Sequence, residues 1–105
     1  MAQFDVYRNP SKATEKTFPF LLDIQNSVIS DITTRIVVPL GESKYFKNEH
    51  MDILTPSFEY HDKKLILLTP QIASIPAKLL KDPIGSLEHF RDEIVAALDF
   101  AITGI

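Results

Sequence analysis

The chain contains no cysteine and no tryptophan, and only three glycines among its 105 residues. Without cysteine it can form neither a disulfide nor a thiolate metal site. Gly41, Gly85 and Gly104 do not stand between a strand and a helix, as the glycines of a phosphate-binding loop do. No apolar run approaches the roughly 20 residues of a membrane-spanning helix. These absences exclude disulfide scaffolds, phosphate-loop nucleotide binders and helical membrane proteins.

The composition is that of an ordinary globular domain, with 45% hydrophobic and 24% charged residues. Its length predicts one domain spanning residues 1–105. A net charge of -3 argues against independent binding to nucleic acid, which needs a clustered excess of lysine and arginine. The first residues lack the basic start and apolar stretch of a secretion signal. We therefore expect a cytoplasmic protein whose partner is another protein.

Short apolar or alternating segments predict several strands, bounded by turn-forming residues. The predicted strands are residues 3–7, 18–25, 35–40, 53–60 and 64–69. The polar interval His61-Asp62-Lys63 predicts a hairpin between the last two. Residues 8–16 break every periodicity and predict an exposed, mobile loop, and residues 43–46 a short helix.

One long helix is predicted at the end of the chain. Ser86 is a suitable N-cap, and Gly104 is well placed to end the helix. Apolar residues recur at three- and four-residue spacing along one face. They are Leu87, Phe90, Ile94, Ala97, Leu98, Ala101 and Ile102.

Val95 and Phe100 fall outside this apolar face, so the helix is apolar around more of its girth than a surface helix needs. A second subunit or a target protein is the expected cover. Val28-Ile29, an apolar pair between turn-forming residues, allows two interpretations: a turn anchored to the core, or an exposed contact for a partner. The same two interpretations apply to Ile102 and Ile105.

No catalytic constellation stands out. His50, His61 and His89 are scattered, without the spacing of metal ligands, and are best interpreted as solvated or capping residues. Arg35 or Arg91 with a histidine or carboxylate would suit acid–base chemistry on RNA, but any chain of this length supplies such residues. We therefore expect no enzymatic activity, no metal and no cofactor.

Several segments together resemble the CcdB family, the toxins of plasmid and chromosomal toxin–antitoxin modules that poison DNA gyrase. The matching features occur in family order and cover nearly the whole chain. They are Gln3-Phe4 with Val6-Tyr7, Asp23 with Gln25 and Val28-Ile29, Thr34 to Leu40, Leu68-Thr69, Ala73 to Pro76, and the final Gly104-Ile105.

The resemblance implies a mainly β fold with a C-terminal α-helix, a small SH3-like β-barrel of the CcdB and Kid type that forms a homodimer. It implies a non-enzymatic toxin that binds the gyrase A subunit between its two copies and traps the complex with cleaved DNA. Carried over by position, the gyrase-binding residues are Val28, Ile29, Asp99, Ile102, Thr103, Gly104 and Ile105. The best-known family pattern has tryptophan before the final Gly-Ile, where this chain has Thr103. The resemblance therefore implies weaker gyrase binding or an interface repacked around Phe100 and Ile102.

A second implied partner is a cognate antitoxin of the CcdA type, whose disordered tail folds onto the toxin and which alone contacts operator DNA. The antitoxin-binding residues expected by position are Arg8, Asn9, Pro10, Ser11 and Lys12. Two alternatives remain open at this point. One is an endoribonuclease toxin of related barrel fold, and the other is a decayed, non-toxic homologue that still binds its antitoxin.

Overall fold

The computed structural model describes residues 2–26, 33–49 and 51–104. Within these ranges the chain forms seven strands and one α-helix, joined by short 3-10 turns. The strands are β1 (Asp5–Arg8), β2 (Phe20–Asp23), β3 (Thr34–Glu42), β4 (Ser57–Tyr60), β5 (Lys63–Leu67), β6 (Ala73–Pro76) and β7 (Gly85–Ser86). The helix is α1 (Arg91–Thr103). The predicted fold class, mainly β with a C-terminal helix, is confirmed.

The sheet is antiparallel, with strand order β4-β5-β3-β2-β1-β7. Strand β3 is the longest and has neighbours along both edges. One edge pairs with β2, while the other pairs first with β6, as in Arg35 opposite Ile75, and then with β5, as in Leu40 opposite Leu67. The sheet curls around this shared strand into a half-barrel.

The predicted hairpin is present, with a two-residue turn between Tyr60 and Lys63. His61 and Asp62 have φ angles of 47° and 66°, as expected for the tight turn that matches the twist of paired strands. Strand β4 begins at Ser57 rather than at Ile53, so the predicted strand is too long at its start. Thr55 explains the difference, because its hydroxyl accepts a hydrogen bond from the Met51 amide at 2.7 Å and closes a turn before the strand.

The first strand is also shorter than predicted. Phe4 has a φ angle of 72°, which a β-strand does not accommodate, and β1 begins at the next residue. The Phe4 side chain is nevertheless buried at 2% exposure. The positive φ angle is therefore found at a residue whose side chain is part of the core.

Both faces of the sheet carry buried side chains. Because alternate strand residues point to opposite faces, Val6 and Leu22 contribute to one core while Tyr7 and Leu21 contribute to the other. The larger core lies against α1, through Ile94 and other residues of the helix. The smaller core is covered by the segment around Leu80.

The helix begins later than predicted. Ser86 belongs to β7, and its hydroxyl accepts a hydrogen bond at 3.1 Å from the amide of Glu88, the first residue of a 3-10 turn (Glu88–Phe90) that precedes the α-helix. α1 starts at Arg91 with no side-chain cap. Leu87, fully buried, fixes this entry because its amide donates to the Phe4 carbonyl at 2.9 Å.

Candidate functional site

The last turn of α1 extends beyond the core that holds the rest of the helix. Ile94 and Ala97 are completely buried, whereas Ala101, which follows on the same face one turn later, is exposed. Ile102 is 73% exposed, the highest value among the large exposed apolar side chains of the described residues. Of the two interpretations left open for Ile102, the structure favours the exposed contact.

Gly104 ends the helix, as its position in the sequence predicts. It has a φ angle of 76°, and its amide donates a hydrogen bond to the Phe100 carbonyl at 3.0 Å. A side chain built at this glycine would meet no atom of the described chain within 4 Å. The backbone at the end of the helix is therefore open to close approach by another molecule.

Asp99 and Thr103 lie one turn apart on the side of the helix that faces away from the core. The Thr103 hydroxyl donates a hydrogen bond to the backbone carbonyl oxygen of Asp99 at 2.6 Å, and the Asp99 side chain is exposed. With Ala96 and Ile53 these residues line an open groove of about 500 Å³.

The groove brings in an apolar residue that the sequence reasoning did not select. Ile53 is 52% exposed, although its side chain is large and apolar. Ile53 was assigned by pattern to a strand, and only the turn closed by Thr55 places it beside the helix. No local sequence signal identifies Ile53 as part of a surface site.

The structure thus groups four of the expected gyrase-binding residues, Asp99, Ile102, Thr103 and Gly104, in the final turn of α1. All four are exposed. The other three, Val28, Ile29 and Ile105, lie outside the described residues. The four grouped residues and Ile53 are called the helix-end surface below.

The segment expected to meet the antitoxin is exposed except at one residue. Asn9 is only 8% exposed, and its amide nitrogen donates hydrogen bonds to the Thr14 hydroxyl at 2.9 Å and the Phe18 carbonyl at 2.8 Å. The Asn9 side-chain oxygen accepts a hydrogen bond from the Ser11 amide. The predicted irregular loop is therefore a set of hydrogen-bonded turns built around Asn9.

The other residues of that segment, Arg8, Pro10, Ser11 and Lys12, present their side chains to solvent. Asn9 thus holds the backbone while its neighbours form the accessible surface.

A family model described as CcdB protein matches residues 3–104. The chain belongs to the CcdB family. Members of the family are toxins of toxin–antitoxin modules that act on DNA gyrase, and they work as poisons rather than as catalysts. The half-barrel with its C-terminal helix is the small β fold of a CcdB protein.

A buried polar network lies at the junction of β2 and β3 in this CcdB protein. The Arg35 guanidinium is paired with the Asp23 carboxylate at 2.7 Å, and both side chains are almost completely inaccessible. Arg35 also donates to the Gln25 carbonyl at 3.3 Å, while the Gln25 side-chain oxygen accepts from the Ile36 amide at 3.1 Å. The network ties the last residues of β2 to the first residues of β3.

The electrostatics of this network are dominated by burial. Burial raises the pKa of the Asp23 carboxyl above its ordinary value, and the hydrogen bonds from Arg35 and the Gln25 amide oppose that rise. Sequence reasoning singled out Asp23 and Gln25 only as parts of matching motifs, and Arg35 also as a residue that would suit acid–base chemistry on RNA. Their contact depends on strand register, which no local pattern reveals.

The histidines do not form a site in the described part of this CcdB protein. His61 lies in the hairpin turn with its ring 4.3 Å from that of Tyr60, and His89 contacts Phe90 at 4.2 Å. His50 lies outside the described residues. Across those residues no three histidine, cysteine, aspartate or glutamate side chains are grouped to hold a metal ion, and no helix is long and apolar enough to cross a membrane.

Proposed function

We propose that this CcdB protein is a homodimeric poison that binds the A subunit of DNA gyrase through the helix-end surface and traps the enzyme on cleaved DNA. The observation that carries the proposal is the 73% exposure of Ile102 on a helix turn that continues beyond its own core. Leaving a large apolar side chain in water forgoes about 1.5–3 kcal/mol of burial. A partner protein that covers it recovers that free energy.

A homodimer makes this surface more effective. If the two-fold axis passes near the helix ends, the same patch of both subunits lies side by side. The dimer then presents twice the apolar area and two Asp99 carboxylates to one target. A target with two equivalent copies of its own would meet a matching pair. The two A subunits of gyrase have this arrangement.

The mechanism requires no bond to be made or broken by the toxin. A ligand holds one conformer of its target only to the extent that it binds that conformer better than the others. Insertion of the paired helix ends between separated gyrase subunits stabilises the state with cleaved DNA and slows resealing. The open backbone at Gly104 permits the close approach, and Ile102 contributes apolar area.

Thr103 distinguishes this chain from the best-known family pattern, which has tryptophan at that position. Without an aromatic ring that stacks on a gyrase arginine, the complex loses about 0.5–2 kcal/mol of cation–π attraction. The exposed side chains of Ile53 and Ile102 flank the threonine and supply other apolar contacts. We propose that gyrase binding is retained with lower affinity.

The antitoxin is proposed to bind through the exposed residues of the segment from Arg8 to Lys12, with Asn9 as the residue that shapes it. Folding of a disordered antitoxin tail onto this surface has an entropic cost but covers a large area with a short segment. Operator DNA is contacted by the antitoxin in this proposal, in a cytoplasmic complex.

The test combines supercoiling inhibition and accumulation of cleaved DNA with purified gyrase. Ile102→Asp should need at least ten times more protein than wild type for the same inhibition. Tyr45→Asp is the matched control, because Tyr45 is 68% exposed and lies on another part of the surface. It should stay within twofold of wild type.

Three results would contradict the proposal. Equal inhibition by wild type, Ile102→Asp and a variant lacking Gly104 and Ile105 would refute the site, and absence of inhibition by all of them would indicate the decayed homologue. Cleavage of a long RNA at specific positions by the purified protein would support the endoribonuclease alternative instead. Sedimentation of the protein alone tests the homodimer.

A further inference from the structure

A second concave surface lies where the interior of the half-barrel opens to solvent. It is an open pocket of about 290 Å³, here called the mouth pocket. Its lining residues are Arg8, Phe20, Tyr60, His61, Lys63 and Ile84. The mouths of β-barrels are preferred positions for ligand sites, and this pocket is near the lower end of the size range for small ligands.

Strand register explains why these residues meet. Val6 pairs with Leu22 in the main core, and two residues further along the same face Arg8 pairs with Phe20. The same relation holds on the neighbouring hairpin. Phe58 pairs with Leu65 in the main core, and Tyr60 pairs with Lys63 two residues further on. On this face the apolar side chains of the core are therefore followed, at the open end of the half-barrel, by Arg8 on one side and Lys63 on the other.

Tyr60 forms the centre of the pocket floor. Its hydroxyl donates a hydrogen bond to the Ile84 carbonyl at 3.3 Å, and its ring makes an edge contact with Phe20 at 6.1 Å. Burial raises the pKa of the Tyr60 hydroxyl, while the nearby positive charge of Arg8 lowers it. The floor is therefore apolar and held in place by these contacts. The positive charge of Arg8 lies close enough to influence the ionisation of the Tyr60 hydroxyl.

Among the described residues, the two cations of the rim, Arg8 and Lys63, have no acidic partner. No carboxylate lines the pocket, and within residues 2–26, 33–49 and 51–104 neither Arg8 nor Lys63 forms an ion pair. This occurs on a chain with 14 acidic and 11 basic residues. An arginine fork and a lysine beside an apolar floor match a ligand that has an apolar group next to carboxylates.

We propose that the mouth pocket binds an acidic peptide segment, with an apolar side chain on Phe20, Tyr60 and Ile84 and flanking carboxylates on Arg8 and Lys63. A single pocket with so few cations on a chain of net charge -3 favours a peptide over nucleic acid. Arg8 also belongs to the segment proposed to meet the antitoxin. The inference rests on that part of the proposed function in taking the antitoxin as the source of the peptide.

The mouth pocket is distinct from the helix-end surface. It contains Lys63, where β5 begins, whereas α1 contacts the turn Thr69–Gln71, just beyond the end of β5. The mouth pocket and the groove at the helix end also share no lining residue. In this proposal a peptide seated in the mouth pocket leaves the final turn of the helix free.

The test uses a fluorescein-labelled, end-blocked pentapeptide with phenylalanine at its centre and glutamate at the other positions. A matched peptide has glutamine in place of every glutamate. Lys63→Gln should raise the Kd of the acidic peptide at least fivefold, and Arg8→Gln with Lys63→Gln at least twentyfold. Lys64→Gln removes the same charge from the opposite face of β5, opposite Glu59, and should change the Kd less than twofold.

Three results would overturn the inference. They are equal weakening by Lys63→Gln and Lys64→Gln, equal affinity for the glutamine peptide, and tighter binding of a single-stranded RNA pentamer than of the acidic peptide. The replaced side chains are exposed, so the variants should keep the wild-type circular dichroism spectrum. The assay contains no gyrase, so its failure and a failure of gyrase inhibition are separate observations.

Discussion

Arg35 and Asp23 form an ion pair with 1% and 0% of their side chains exposed. The pair lies across the junction of β2 and β3, and Gln25 connects it to the backbone on both sides: its amide donates to Asp23 and its side chain accepts from Ile36. One guanidinium nitrogen of Arg35, Nη1, has no hydrogen-bond partner among the described residues. Asp23 is therefore the only charged partner of Arg35 in the part of the chain that the structure describes, and the Gln25 carbonyl is its other hydrogen-bond acceptor.

We expect Asp23→Asn to lower the free energy of unfolding by about 3–5 kcal/mol, because it leaves a buried arginine charge without compensation. Urea denaturation followed by circular dichroism measures the change. The double variant Asp23→Leu with Arg35→Met removes both charges and should be less destabilised than Asp23→Asn alone. A loss below about 1 kcal/mol in the single variant would contradict the importance of the pair.

Tyr7 should make the protein sensitive to alkali. Burial raises the pKa of its hydroxyl above the ordinary value of 10.0, and the charges of Asp5 and Asp23 add to the rise. Between the ordinary and the raised pKa the folded state holds a proton that the unfolded state has released, so stability is complete below pH 10 and falls as the pH rises through the folded-state pKa.

The measurement compares the free energy of unfolding of wild type and Tyr7→Phe from pH 8 to 11. Wild type should lose stability above about pH 10 with an additional slope of up to about 1.4 kcal/mol per pH unit. The raised pKa of the Tyr60 hydroxyl affects both proteins alike. Parallel curves would show that Tyr7 ionises equally in both states.

Truncation of two isoleucines on the same helix should change the free energy of unfolding by very different amounts. Ile94→Ala creates a cavity in the main core and should lower the free energy of unfolding by about 2–5 kcal/mol, because Ile94 is completely buried. Ile102→Ala removes a side chain from the surface and should change it by less than about 0.5 kcal/mol. Thermal unfolding of both variants checks the contrast, and similar losses would mean that Ile102 is covered in the folded protein.

Gly85 should not tolerate a side chain while Tyr60 is present. A Cβ atom at Gly85 would contact the Tyr60 hydroxyl oxygen too closely, so we expect Gly85→Ala to cost about 1–3 kcal/mol. The same change in a Tyr60→Phe background should cost less, since the crowded oxygen is gone. A double-mutant cycle measures the difference, and strictly additive effects would place the crowding elsewhere.

Local chemistry accounts for the features that the sequence predicts correctly. The positive φ angles of His61 and Asp62 form the hairpin turn anticipated from its polar interval, and Gly104 ends the helix through the left-handed conformation that glycine favours. The exposed segment after β1 and the apolar final helix also follow from periodicity. Each of these features depends on residues within a few positions of one another.

Features that depend on distant contacts were not predictable in the same way. Strands β6 and β7 carry no strong periodicity and exist because Ala73–Pro76 and Gly85–Ser86 find partners in β3 and β1. Ser86 has the chemistry of an N-cap, but its place in β7 commits it to a short turn instead. The helix-end surface was anticipated in Ile102 and missed in Ile53, which only the folded chain brings to the groove.

The projection of the final turn of α1 past the core separates two kinds of evolutionary constraint along one helix. Substitutions at Ile94 or Ala97 are filtered by the requirement to fold, whichever molecule the protein acts on. Substitutions at Asp99, Ile102 or Thr103 change exposed side chains and leave the core untouched. If these residues bind gyrase as proposed, affinity for the target is free to change at Thr103 without a cost in folding.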